Sequence, residues 1–204
     1  WIGFNQEVGN GAAGIGAVGV SFGRLDYRSN VTAFLAVGAQ IGSAQDNVEA
    51  VNITASSVVK KADALGVAAS GGIVSGAGID VAVDIRPNVK AYTDLLVTVH
   101  AAGDVSISAG TTIQSDVQAI GVQAAGAAIG VSLAEARVRP DVAAYLGGNN
   151  VVVARNIAVL ATQSLPDNGK PSASATGFGS AGGILIGAVG TEVTARNTGS
   201  TLAY

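Results

Sequence analysis

The sequence predicts an all-β repeat protein, and three observations predict it. Four segments match one another at near-constant spacing, apolar and polar residues alternate with period two, and Gly, Asn and Pro punctuate the alternating stretches. The matching segments are Arg28-Ser-Asn-Val-Thr-Ala-Phe34, Arg86-Pro-Asn-Val-Lys-Ala-Tyr92, Arg139-Pro-Asp-Val-Ala-Ala-Tyr145 and, more loosely, Arg196 through Tyr204. Their Arg-to-Arg spacings are 58, 53 and 57 residues. Self-similarity at a near-fixed period marks a repeat architecture. The 204 residues therefore divide into modules of approximately 1–34, 35–92, 93–145 and 146–204 of one continuous array, which reads as a fragment of a longer protein.

Each module carries the same order of elements. It includes a Gly/Ala-rich run, opening at Gly9-Asn-Gly-Ala-Ala-Gly14, Gly66-Val-Ala-Ala-Ser-Gly71, Gly121-Val-Gln-Ala-Ala-Gly126 and Gly177-Phe-Gly-Ser-Ala-Gly182. The Arg-to-aromatic segment follows, and beyond it lies a short alternating stretch: Val51-Asn-Ile-Thr-Ala55, Val105-Ser-Ile-Ser-Ala109 or Ile157-Ala-Val-Leu-Ala161. Ile79, Val81, Val83 and Ile85 point one way while Asp80, Ala82 and Asp84 point the other, the pattern of a strand with one buried face. The nearest helical candidate, Ser56 to Leu65, has Val58-Val59 and no helical periodicity.

Alternating strands in a long repeat suit a parallel β-solenoid, in which equivalent positions of successive coils stack and a narrow core of Val, Ile and Ala continues along the axis. Coils of roughly 18–30 residues would give two or three per module. The alternative is antiparallel, each Gly-rich run starting a long hairpin that returns through the Arg-Pro turn.

Composition limits the function classes. Gly (29), Ala (37) and Val (28) dominate, only 4 residues are Pro, and the net charge is −3, so the chain is neither collagen-like nor disordered. Mild acidity disfavours nucleic acid, which requires a basic footprint. Without Cys there are no disulfides or thiolate metal sites. Charge-free stretches at 8–23, 64–79, 117–134 and 171–191 have the length of membrane spans, but their Gly, Ala, Ser and Thr are wrong for lipid-facing helices, so no membrane span is expected.

No catalytic, cofactor-binding or metal-binding residues are assigned, and no cofactor. Gly9–Gly14, Gly14–Gly19 and Gly177–Gly182 satisfy G-x-G-x-x-G, yet no helix follows, as a dinucleotide site requires. His100, near Asp94 and Asp104, lacks a nucleophile elbow upstream and has no counterpart in the other modules. Asp80 and Asp84 lie about 13 Å apart along one strand face, too far for a glycosidase pair. No calcium-binding nonapeptide or EF-hand loop occurs.

The recurring positions are instead structural. Phe34, Tyr92, Tyr145 and Tyr204 are expected to stack one module apart and fill a corner, the rival reading being a carbohydrate platform. Arg28, Arg86, Arg139 and Arg196 are expected to sit exposed where the chain turns, discouraging stray strand pairing. The charge-free runs are expected to form either an inner sheet or a lateral contact between protein copies.

The module order, with its Gly/Val-rich run, Arg-Pro-Asn-Val turn, Val-x-Ala-Tyr strand and Asp-Val-x-Ile-x-Ala stretch, resembles bacterial β-strand-repeat filamentous adhesins. These include the leukotoxin-family filamentous adhesins and, more distantly, filamentous-haemagglutinin-like exoproteins. The resemblance implies a secreted or cell-surface stalk or fibre whose adhesion resides in the whole assembly, with no active-site residues to carry over. The expected function is a structural repeat segment of an extracellular adhesin or filament, not an enzyme. The alternative is a carbohydrate-binding repeat module. Expected partners are neighbouring repeats, further copies of the protein and, under the alternative, cell-surface glycans. The 165–171 segment departs from the repeat and is expected to protrude as a loop.

Overall fold

A computed structural model describes residues 2–166 and 169–204 and shows an all-β chain of mostly parallel strands in a nearly closed sheet. Three long strands dominate: β1 (Ile2–Leu35), β3 (Val51–Thr93) and β5 (Val105–Val138). The others are β2 (Gln40–Ile41), β4 (Thr98–His100), β6 (Asp141–Leu146), β7 (Val151–Val153), β8 (Ile157–Ser164), β9 (Ala173–Asn197) and β10 (Ser200–Ala203). One sheet runs β10-β6-β3-β5-β8, with β1 joined to β3 and β9 to β5; a three-stranded sheet runs β2-β4-β7. Among the described residues no helix is long and apolar enough to cross a membrane.

Every strand pairs in parallel with the strand one module away. Val51 faces Val105 and Val105 faces Ile157; Tyr92 faces Tyr145. The expected short coils are not what forms, because one layer consumes a whole module. The long-hairpin alternative is also set aside, since it requires antiparallel pairing.

The chain nevertheless doubles back within each layer, by facing side chains rather than by exchanging hydrogen bonds. In β3 the reversal falls at Gly72-Ile73. Beyond it, Val59, Ala62, Ala64 and Ala68 share one core with Ala77, Ile79, Val81, Val83 and Ile85. A side chain at Gly66 would collide with Val81 and Ile79, one at Gly121 with Ser132, and one at Gly23 with Val8. Glycine lets the two limbs approach closely. The result is a flat doubled arm, its limbs zipped face to face.

At the base of the arm, three short walls enclose a second core. Val51, Ile53 and Ala55 form the first wall, Val89 and Ala91 the second, and Val97, Val99 and Ala101 the third. Between the second and third walls the chain turns through a left-handed residue at the same level in three layers: Gly38 (φ 71°), Leu96 (φ 59°) and Asn149 (φ 56°).

Layers are also tied by side chains. The Asn150 amide donates to Thr93 Oγ1 (2.6 Å), and its Oδ1 accepts the backbone N–H of Val97 (2.8 Å), both in the preceding layer. The irregular 165–171 segment interrupts the strand that is continuous in β5: Thr112 faces Ser164, whereas Ser115 faces Ala173. Asp167 and Asn168, at the heart of the expected loop, lie outside the described residues; their neighbour Leu165 is exposed.

Candidate functional site

The parallel register creates columns of equivalent side chains, and the aromatic column is the most regular. Phe34, Tyr92, Tyr145 and Tyr204 stack with centroid spacings of 5.4, 4.8 and 5.1 Å and interplanar angles of 14°, 5° and 5°. The backbone fixes this spacing: Leu146 N–H donates to the Tyr204 carbonyl, and Tyr204 N–H donates to that of Ala144. Burial pushes the Tyr145 phenol above its ordinary pKa, and the Tyr92 and Tyr204 phenols on either side add to the effect. Each inner ring has both faces covered by its neighbours. Tyr92 and Tyr145 therefore offer edges and hydroxyls to solvent, not the open ring faces on which a sugar would stack.

The arginine column is less regular than the sequence suggests. Arg28 faces Arg86, and Arg139 follows at the level of Arg86, its N–H donating to the Ile85 carbonyl. Arg196, however, faces Arg137 and belongs to the adjoining column. Arg28 and Arg196 are exposed, but within β1 and β9 rather than at the expected turns. Arg86, within β3, and Arg139 are only partly exposed, because both close on the Asp84 carboxylate. The Asp84 side chain is 3% exposed although it points away from the arm's core. It sits between the arm and the second wall in sequence, and the Arg86 and Arg139 side chains close on it. The Arg86 hydrogen bond is the main cause that lowers its pKa to about 2, opposed by burial and reinforced by Arg139.

The same Asp-x-Arg pair occurs one layer away, where the Arg28 hydrogen bond lowers the Asp26 pKa. The next layer has Arg137 in the acid's place, so Arg139 reaches across to Asp84. Asp84 is thus the partner of two arginines, a pairing that reading the arginines alone missed. Its signal was available, since an Asp stands two residues before both Arg28 and Arg86.

The charge-free runs form the outer part of the arm, with alternate residues serving different ends. Inward ones zip the limbs together, while outward ones line two flat flanks. One flank carries Val67, Ala69, Val122 and Ala124; the other carries Val18, Val74, Ile129 and Val131. At the reversal Ile15 is 80% exposed, Ile73 64% and Ile184 91%. These runs thus combine an inner packing face with an exposed apolar outer face.

The chemical candidates stay apart. The G-x-G-x-x-G runs lie within β1 and β9 and precede no helix among the described residues. His100 is half-buried in β4, level with Val153, and its carbonyl accepts the Val48 N–H. Asp80 is exposed on the arm flank, beside a shallow depression shared with Phe22, Arg24 and Glu135. Asp104 lies in another depression, where the Asn156 amide and then the Arg155 guanidinium lower its pKa. Among the described residues no three His, Cys, Asp or Glu side chains gather as a metal site would need.

No protein-family model matches this chain, and no curated protein or solved structure matches it.

Proposed function

We propose that this chain is a structural repeat segment of an extracellular adhesin or filament, a parallel β-solenoid that supplies a stiff, surface-exposed rod and associates with further copies of itself. The observation that carries the reading is the in-register stacking of like residues from successive modules, typified by Tyr92 against Tyr145. A stack of this kind has no natural limit in one direction, because each layer offers the next the same row of backbone donors and acceptors. Bending it would shear long runs of parallel hydrogen bonds, which makes it stiff.

The dimensions refine the role. A layer adds only about 4.8 Å along the axis, while the arm, at about 3.3 Å per residue from Ser56 to Gly72, reaches out about 50 Å. Such a rod gains length slowly and side area quickly. Its material goes into the two flanks, and these are the surfaces proposed for self-association. The charge-free band on one flank covers roughly 400 Å² in four layers, from about 23 Å along the strand and about 19 Å across the layers. A stable interface needs about 800 Å² per partner. Association through one flank should therefore begin at about twice the present number of modules.

The carbohydrate-binding alternative is less well supported, because the inner rings of the aromatic column have no free faces. Small-angle scattering on chains of two, four and six modules, below the length at which flank association is expected, tests the proposal. Axial length should grow by about 4.8 Å per module with constant cross-section. A compact globule at every length would refute it, and specific glycan binding without axial growth would favour the alternative.

A further inference from the structure

We propose that Tyr92, Tyr145 and Tyr204 form a site of oxidative phenol coupling, at which a dityrosine bond joins adjacent layers when a haem peroxidase and hydrogen peroxide act on the protein. Coupling needs two phenols held side by side and an edge that an oxidant can reach. The column supplies both. Tyr92 and Tyr145 stack at 4.8 Å and 5°, Tyr145 and Tyr204 at 5.1 Å and 5°. Parallel register places like atom over like atom, so the carbon beside one hydroxyl faces its counterpart in the next ring. Closure requires the two reacting carbons to approach from near the 4.8 Å stacking distance to a bond length. The rings must also swing out of the stack until the new bond lies in both ring planes, a movement that the exposed edge of the column leaves room for. Tyr204 is 63% exposed, and the two inner rings are half-buried with their edges outward.

The chemistry balances. Each of two phenols gives one electron and its hydroxyl proton to the peroxidase, which passes them to peroxide and forms two waters. The two phenoxyl radicals pair their unpaired electrons in one carbon–carbon bond between the positions beside the oxygens. Each of those carbons then loses its hydrogen as a proton, and the oxygens regain one each. The protein is lighter by two hydrogens per link.

The sequence also limits where the links can form. Phe34 stacks on Tyr92 at 5.4 Å but has no phenol, so coupling stops there. Tyr27 faces Ile85 across the register and so lies outside the tyrosine column. A link between Tyr92 and Tyr145 would turn a contact held by hydrogen bonds into a covalent tie along the axis. The inference requires only the stacked rings and stands independently of the proposed function.

The test treats the dilute purified chain with a haem peroxidase and hydrogen peroxide, then follows dityrosine fluorescence and maps linked peptides by mass spectrometry. The expected products are unimolecular, each losing two hydrogens per link, with Tyr92–Tyr145 and Tyr145–Tyr204 peptides dominant. Tyr145→Phe should abolish both links, and Tyr92→Phe should leave Tyr145–Tyr204 alone. Circular dichroism checks that each variant keeps its strands; should Tyr145→Phe not fold, Tyr92→Phe and Tyr204→Phe each remove one link and decide the matter. No coupling under conditions that couple free tyrosine would overturn the proposal. So would products that include Tyr27 at comparable yield, or an unchanged yield in the folded variants.

Discussion

Replacing Asp84 with Asn keeps the shape of the side chain and removes its charge. In the folded protein this carboxyl titrates at about 2 instead of 3.8, held down first by the Arg86 hydrogen bond and then by Arg139. At about 1.36 kcal/mol per pKa unit, that shift contributes about 2 kcal/mol of stability near neutral pH. Breaking a fully buried pair costs about 3–5 kcal/mol. The partial exposure of Arg86 and Arg139 places the expected loss for Asp84→Asn nearer about 2 kcal/mol. The sign of the pH effect follows from the direction of the shift. The folded state binds this proton less tightly than the unfolded state, so the stabilisation is complete above pH 3.8 and disappears as pH falls through about 2.

Urea unfolding followed by circular dichroism at a series of pH values measures both quantities. Asp26 and Asp104 also titrate low and give the native protein an acid slope of their own. The informative curve is thus the difference between the two proteins, about 2 kcal/mol above pH 3.8 and closing toward zero near pH 2. A difference that is flat across this range, or an Asn variant as stable as the native protein at neutral pH, would refute the reasoning.

Three further outcomes are expected. Asn150→Ala leaves the buried Val97 N–H without an acceptor and removes the shorter of the two hydrogen bonds to Thr93 Oγ1, the Gly147 N–H remaining, and should cost about 2–3 kcal/mol in denaturant unfolding. Leu96→Gly relieves a left-handed backbone worth about 1–2 kcal/mol against a glycine penalty of about 0.5–1 kcal/mol. It should raise stability by about 0.5–1 kcal/mol and the melting temperature with it. Gly66→Val forces methyl groups into Val81 and Ile79 and should destabilise the arm by about 1–3 kcal/mol, visible as faster amide exchange over residues 59–85.

Much of the architecture can be read from side chains whose identity commits them to a face. The alternation of Ile79, Val81, Val83 and Ile85 assigns strand and inward face together, and the structure buries all four. The Val51-x-Ile53 and Val105-x-Ile107 stretches align in sequence as they do in space. Glycine gives no such guidance. The openings Gly9 and Gly66 look equivalent in sequence, yet Gly9 faces Val67 and Gly66 faces Val8. A residue without a side chain does not report which way it points, and a one-residue slip exchanges the faces. Arg196 was misaligned for a related reason: the irregular fourth module preserves the tyrosine column but shifts the arginine to the level of Arg137.

By itself the sequence determined that the chain is all-β, that it repeats, and which residues recur, because period-two alternation and self-similarity are local properties of the chain. Only the tertiary structure decided that a module is one layer, that the Gly-rich run doubles back upon itself, and that Asp84 is enclosed between two arginines. Those outcomes depend on contacts between residues that are distant along the chain or lie in different layers, and local periodicity carries no record of which limb will face which.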